Sequence, residues 1–207
     1  MKYVYEFIGA FFLVFTIGMV VLEPAAPLGF APLAIGTVLA LMIFAGGHIS
    51  GGHFNPAVSL AVFLRGKSTL NDMLIYWVAQ LIGGGAAAFL VLFMKGFPVV
   101  TPMTPGVIQA LVAEFVFAFA LCFVVLNVAT AKGTEGNSFY GWAIGMTVLV
   151  GAYAVGTVSG GAFNPAVAFG ASVMGLFSWS NIWIYLVADL AGGAAAAFIF
   201  KAAHPGE

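Results

Sequence analysis

Long apolar runs, broken by glycine, proline and single charged residues, dominate the chain. A helix that crosses a bilayer needs about 20 mainly apolar residues. Six stretches approach that length: residues 4–22, interrupted by Glu6; 28–47, uncharged; 73–94, holding Gln80; 107–131, holding Gln109, Glu114 and Asn127; 140–158, uncharged; and 182–200, holding Asp189. Two more apolar stretches, 55–64 and 164–174, are too short to cross, and each follows a glycine-rich loop. Such segments read as re-entrant half-helices. Irregular backbone at membrane depth is tolerated only where it is buried in protein or lines a water-filled cavity. The pattern predicts an all-α membrane protein of six transmembrane helices plus two half-helices. Met1-Lys2 ahead of an apolar run also fits a cleaved signal peptide, but Glu6 interrupts the run and no clear small-x-small site precedes Glu23.

Composition agrees with this reading. Hydrophobic residues make up 63% and charged residues 6%, with mean hydropathy +1.13. Soluble domains carry about 25% charged residues, so a soluble enzyme, a nucleic-acid binder and a disordered chain are excluded. The net charge of −1 offers no basic field. A single Cys122 permits neither an internal disulfide nor a cysteine metal site. Lys2, Arg65, Lys67, Lys132 and Lys201 fall on one side of the six-span arrangement and Lys95 on the other. That asymmetry predicts a multi-pass protein of the cell (inner) membrane with both termini in the cytoplasm.

The chain is written twice, with an offset of 108–109 residues. Glu6-Phe7 matches Glu114-Phe115. Gly51-Gly52-His53-Phe54-Asn55-Pro56-Ala57-Val58 matches Gly160-Gly161-Ala162-Phe163-Asn164-Pro165-Ala166-Val167, seven identities in eight positions. Gln80, then Gly83-Gly84 and an alanine run, matches Asp189, then Gly192-Gly193 and an alanine run. Three spans per repeat, an odd number, make the repeats inverted. We expect one channel domain over residues 1–207, with repeats 1–100 and 105–207. Inversion brings the half-helices in from opposite faces to meet near the midplane. The bland alternatives are two loops that plug a bundle, or a repeat faked by low-complexity glycine and alanine. The twice-repeated Asn-Pro-Ala argues against the second.

Asparagine is a leading helix N-cap and proline is favoured at the first helical position. Asn55-Pro56-Ala57 and Asn164-Pro165-Ala166 are therefore helix starts. Each start carries about +0.5 elementary charge from the helix dipole. Two such ends facing one lumen repel a cation or hydronium ion and leave a neutral solute alone. The asparagine amides donate hydrogen bonds into the lumen, so a water held there accepts on both lone pairs and cannot relay a proton. Carbonyls of Gly51, Gly52, His53, Gly160, Gly161 and Ala162 are the expected acceptors leading in.

With these residues in place, the sequence resembles the aquaporin, or major intrinsic protein, family over nearly its whole length. The stretch His48-Ile49-Ser50-Gly51-Gly52-His53-Phe54-Asn55-Pro56-Ala57-Val58 is close to the bacterial water-channel form. The paired Asn-Pro-Ala boxes, Glu6, Glu114 and Gln80-x-x-Gly83 are also family marks. The resemblance implies an aquaporin-like right-handed bundle, a pore in each protomer and a homotetramer, with no cofactor. Exclusion of ions by half-helix dipoles is an established idea for such pores. The second box departs from the usual pattern: it continues with Val167 where family water channels usually carry arginine. Counted from the boxes, the resemblance places the selectivity filter at Ile35, Ala152, Gly161 and Val167. A one-residue slip in the fifth span would bring Gly151 or Tyr153 there, and Tyr153 would narrow the mouth. Some plant vacuolar members share Asn-Pro-Ala-Val and resemble broad-specificity pores. A wider, donor-poor filter predicts passage of glycerol, urea, ammonia or hydrogen peroxide beside water, although an apolar ring can also dewet.

Ionisable groups inside spans are costly and usually functional. Glu6 and Glu114 serve either as a proton or cation relay or as acceptors that hold the loops. Their symmetric placement and the family pattern favour the loop scaffold, with Gln80 in the same role. Asp189 replaces a position that is uncharged in many relatives and has no evident partner. His48 either faces the lumen as a gate or packs structurally. His53 is expected to contribute its carbonyl, His204 to be solvated, and no set of residues has metal-ligand spacing. The glycine-alanine runs read as helix-packing faces, and the phenylalanines as lipid-facing or core filler. Rival functions are a water-selective pore and an alternating-access carrier, which would place ionisable groups at a central site. An ion channel and an intramembrane enzyme lack their residue sets, and adhesion by stacked tetramers is an open alternative for which the short loops offer little surface.

Overall fold

The structure, a computed structural model, describes residues 1–23 and 27–207. The described residues form eight α-helices: α1 Lys2–Val21, α2 Ala31–Ser50, α3 Pro56–Leu64, α4 Leu70–Met94, α5 Val107–Ala129, α6 Tyr140–Ser159, α7 Pro165–Val173 and α8 Ile182–Ala203. Six are long and apolar enough to cross a membrane. The other two, α3 and α7, have nine residues each. At 1.5 Å per residue each spans about 13–14 Å, roughly half a hydrocarbon core.

Helix boundaries shift by a few residues from the hydropathy runs because local chemistry sets them. Residues 28–30 form a 3-10 turn, and α2 begins only at Ala31, with Pro32 in its first turn. It continues to Ser50 and stops on Gly51, whose left-handed φ of +90° suits glycine. In the same way α6 stops on Gly160 at φ +96°. The Thr69 hydroxyl accepts from the Asp72 N–H and starts α4 three residues ahead of the apolar run.

Helices pack in matched pairs, α1 on α4 and α5 on α8, with α2 against α6 between them. Glycine sets the distances. A Cβ on Gly83 would lie 2.4 Å from the Phe7 carbonyl oxygen, and one on Gly192 would lie 2.7 Å from that of Phe115. Across the centre, a Cβ on Gly145 would lie 2.3 Å from the Gly36 oxygen. The half-helices are exchanged. Gly84 of α4 abuts Ala166 in α7, and Gly193 of α8 abuts Ala57 in α3. The last span of each repeat therefore clasps the half-helix of the other.

Charges sort by end. Lys2 pairs with Asp72 at 2.8 Å, and Arg65 reaches the Glu207 carboxylate at 3.1 Å and the Thr130 carbonyl at 3.3 Å. Lys95 lies at the opposite end and donates to the Glu23 carbonyl. Large apolar side chains such as Leu41, Val78, Val150 and Phe198 stay more than half exposed on the outer faces, as lipid contact requires.

Candidate pore and its two loop brackets

The half-helices meet at their N-termini. Asn55 caps α3, its Oδ1 accepting from Ala57 N at 2.8 Å. Its Nδ2 donates to the Phe163 carbonyl at 2.8 Å, in the loop before α7. Asn164 repeats both bonds in mirror fashion, accepting from Ala166 N at 2.9 Å and donating to the Phe54 carbonyl at 3.0 Å. Pro56 and Pro165 occupy the first turns. From this junction α3 runs toward the Arg65–Glu207 end, and α7 runs toward the end where Val100 flanks Gly175. An amide nitrogen carries two N–H groups. One of each pair is spent on this cross-tie, which leaves one from Asn55 and one from Asn164 for the lumen.

Phe54 and Phe163 both take left-handed backbone, at φ +49° and +50°. Such a conformation is disfavoured for a bulky residue and persists only when its surroundings over-determine it. Each is held at both ends: its carbonyl by the opposite asparagine, its N–H by a buried glutamate. Glu6 accepts from Phe54 N at 2.6 Å and His53 N at 3.0 Å. Ser50 Oγ at 2.7 Å and Gln80 Nε2 at 2.7 Å complete four donors. Glu114 accepts from Phe163 N at 2.6 Å, Ala162 N at 3.0 Å and Ser159 Oγ at 2.6 Å. Tyr76 and Tyr185 close the two brackets by donating to the Ser50 and Ser159 carbonyls, each at 2.6 Å. The Phe54 ring fills the space left by Gly9, and the Phe163 ring the space left by Gly151.

Ile35, Ala152, Gly161 and Val167 line one cavity of about 370 Å³, together with both asparagines and with Gly52, His53, Gly160 and Ala162. Among the described residues, no aspartate, glutamate, lysine or arginine lines it. A second cavity of about 730 Å³ opens at the end bearing Lys2, Lys67 and Lys132, and Gly51 and His48 line it. The two share His53 and Val125. His48 thus stands at the outer vestibule and not at the junction. The His53 ring does more than its carbonyl alone would. Its Nδ1 lies 3.1 Å from Ser59 Oγ, and the ring packs edge-on against Tyr76. Tyr153 points away from the cavity, 56% exposed, and donates to the Gly29 carbonyl at 2.8 Å.

Three residues at the mouth carry no mark along the chain. Thr101 and Met103, from the connection between α4 and α5, and Phe177, beyond α7, line the same cavity. Met103 N donates to the Leu176 carbonyl at 3.0 Å and joins the two loops. Phe177 stacks on Tyr185 at 4.5 Å and lies so close to Gly160 that a Cβ there would come within 2.4 Å. No periodicity marks such loop residues. The only local signal is the left-handed glycine that makes room for the ring.

Two half-helix starts abutting inside a six-span bundle, with one cavity lined by both asparagines and a second cavity from the other end meeting it at His53 and Val125, define a membrane channel. The sequence profile described as "MIP: Major intrinsic protein" matches residues 1–200, and the chain belongs to that family. It is 38% identical to Nodulin-26 of Glycine max, an alignment covering 97% of this chain and 76% of that one. It is 36% identical to Aquaporin TIP1-1 of Zea mays over 86% of this chain and 73% of that one. The X-ray structure of the aquaglyceroporin from Plasmodium falciparum shares the fold, with TM-score 0.82 at 22% identity over 99% of this chain and 96% of that one. The protein is an integral multi-pass membrane channel that passes water and small solutes passively.

Proposed function

We propose that the pore conducts water together with small neutral carbon-bearing solutes of the glycerol and urea class, and that ions are rejected at the asparagine junction. One observation carries this reading: Ile35, Ala152, Gly161 and Val167, the four expected filter positions, line one cavity and offer it no charged or hydrogen-bonding side chain. An arginine at the Val167 position would narrow the ring and supply fixed donors. Valine does neither, so a solute with carbon on one face meets a lower desolvation penalty. An ion meets the reverse. No carboxylate among the described residues lines the cavity to replace its hydration, and two half-helix starts add about +0.5 charge each. Met103 and Phe177 favour a second reading, a mouth tight enough for water alone.

Stopped-flow light scattering on proteoliposomes separates the two. We expect glycerol and urea to pass the wild-type pore, and Val167→Arg to cut both by more than it cuts water. Equal loss for all three, or no loss, removes the ring from its role. Wild-type exclusion of glycerol and urea favours the water-only pore. We further propose a single channel domain over residues 1–207 made of repeats 1–100 and 105–207, in a homotetramer with both termini cytoplasmic. The sorting of Lys2, Arg65, Lys67 and Lys132 to one end supports that orientation.

A further inference from the structure

The two brackets differ at one position. In the first, the Gln80 amide donates to Glu6 Oε2 at 2.7 Å and to Ser59 Oγ at 3.0 Å. In the second, Asp189 takes the place of Gln80, and Ala168 that of Ser59. Asp189 is fully buried. Its carboxyl faces that of Glu114 and reaches toward the Asn164 N–H, yet among the described residues no donor meets either oxygen with hydrogen-bond geometry. Glu114 accepts three donors where Glu6 accepts four, and the missing fourth is the one Gln80 supplies.

Two facing carboxylates cannot both stay ionised in such a place. The ionisable neighbours of Asp189 are Glu114 and Cys122 on α5 and Tyr185 on its own helix. The half-helices α3 and α7, which also pack on α8, contain no ionisable residue, and α5 contains no lysine, arginine or histidine. Lys201 stands twelve residues further along α8, about 18 Å away. Among the described residues nothing supplies a countercharge. A carboxylic acid, unlike a carboxylate, carries one O–H donor.

We propose that Glu114 and Asp189 hold one proton between them, carried on Asp189 and donated to Glu114, and that Asp189 is thereby a positioning residue for the second loop. The proton supplies the fourth donor. It sits on Asp189 because the Glu114 oxygens already accept three N–H and O–H groups while those of Asp189 accept none. Through Glu114 it secures the Ala162 and Phe163 amides, and through them the placement of Gly161 and Asn164. The functional part rests on the reading of that loop as a pore wall.

The test is infrared difference spectroscopy on the full-length protein in lipid, comparing wild type with Asp189→Asn and Glu6→Gln, beside water permeability of the same samples and of Asp189→Leu. We expect a protonated-carboxyl C=O band in wild type that shifts in deuterated buffer, vanishes in Asp189→Asn and survives Glu6→Gln. Asparagine restores an amide donor like that of Gln80, so Asp189→Asn should keep permeability within about twofold. Asp189→Leu should lose about tenfold, the population shift that one lost buried hydrogen bond produces. Absence of the band in wild type, or its survival in Asp189→Asn, overturns the shared proton. Equal losses in Asp189→Asn and Asp189→Leu overturn the positioning role. The band is read without transport, so it reports on the proton whichever solutes pass.

Discussion

The two loops before α3 and α7 adopt almost the same backbone and are held by different chemistry. Both turn on paired left-handed glycines, place a phenylalanine at φ near +50° and give its N–H to a glutamate at 2.6 Å. The first bracket is an amide-rich network in which the Gln80 amide N–H groups reach Glu6 and Ser59 and the Ser59 hydroxyl meets the His53 ring, while Gln80 Oε1 has no partner among the described residues. The second is sparse, with Ala162 and Ala168 where the first has His53 and Ser59. The geometry thus depends on a buried acceptor for two successive loop amides, and the remaining donors are interchangeable. The lesson is local: a strained turn at membrane depth needs its N–H groups met by protein, because no water is there to meet them.

The largest test of this comparison is truncation of the acceptors. Glu6→Ala should destabilise by about 3–5 kcal/mol, since four buried donors lose their acceptor and each one left unpaired costs about 1–3 kcal/mol. Glu114→Ala should cost less, because three donors fixed in place by the fold are orphaned instead of four, and the fourth, the Asp189 O–H, sits on a carboxyl that can turn. Thermal unfolding in detergent reads the order, and a larger loss for Glu114→Ala would break the comparison. Next come the asparagines. Asn55→Ala and Asn164→Ala each remove one cap and one cross-tie, about 1 kcal/mol apiece. The two variants should match within error, and unequal midpoints would mean that the loops do not share strain equally. The smallest effect is expected for His53→Ala, which copies Ala162 into the first loop. It loses the Ser59 contact, about 1 kcal/mol, and opens the junction of the two cavities. Glycerol flux should rise more than water flux in proteoliposomes. A fall in both would assign the ring a supporting role and not a restricting one.

Much of this was legible along the chain. Lipid requires that backbone groups be satisfied within each span, so length and apolarity alone mark the six helices and leave two segments too short to cross. Asparagine before proline marks a helix start by local geometry, and both starts fall where that chemistry puts them. The mouth was hidden. Thr101, Met103 and Phe177 lie on connections whose course is set by the Met103–Leu176 bond between segments far apart in sequence. The outward turn of Tyr153 was hidden as well, because an apolar span gives no facing signal when one side meets lipid and the other a greasy pore.

What the amino-acid order determined by itself is the count of spans, the doubling of the chain and the two capped half-helices, since each follows from interactions within a few residues or from transfer into lipid. What only the tertiary structure decided is how the doubled parts engage. Each asparagine spends an N–H on the opposite loop, each final span clasps the other repeat's half-helix, and Asp189 comes to face Glu114. Those contacts join residues about 75 to 136 positions apart, and packing, not local preference, selects them.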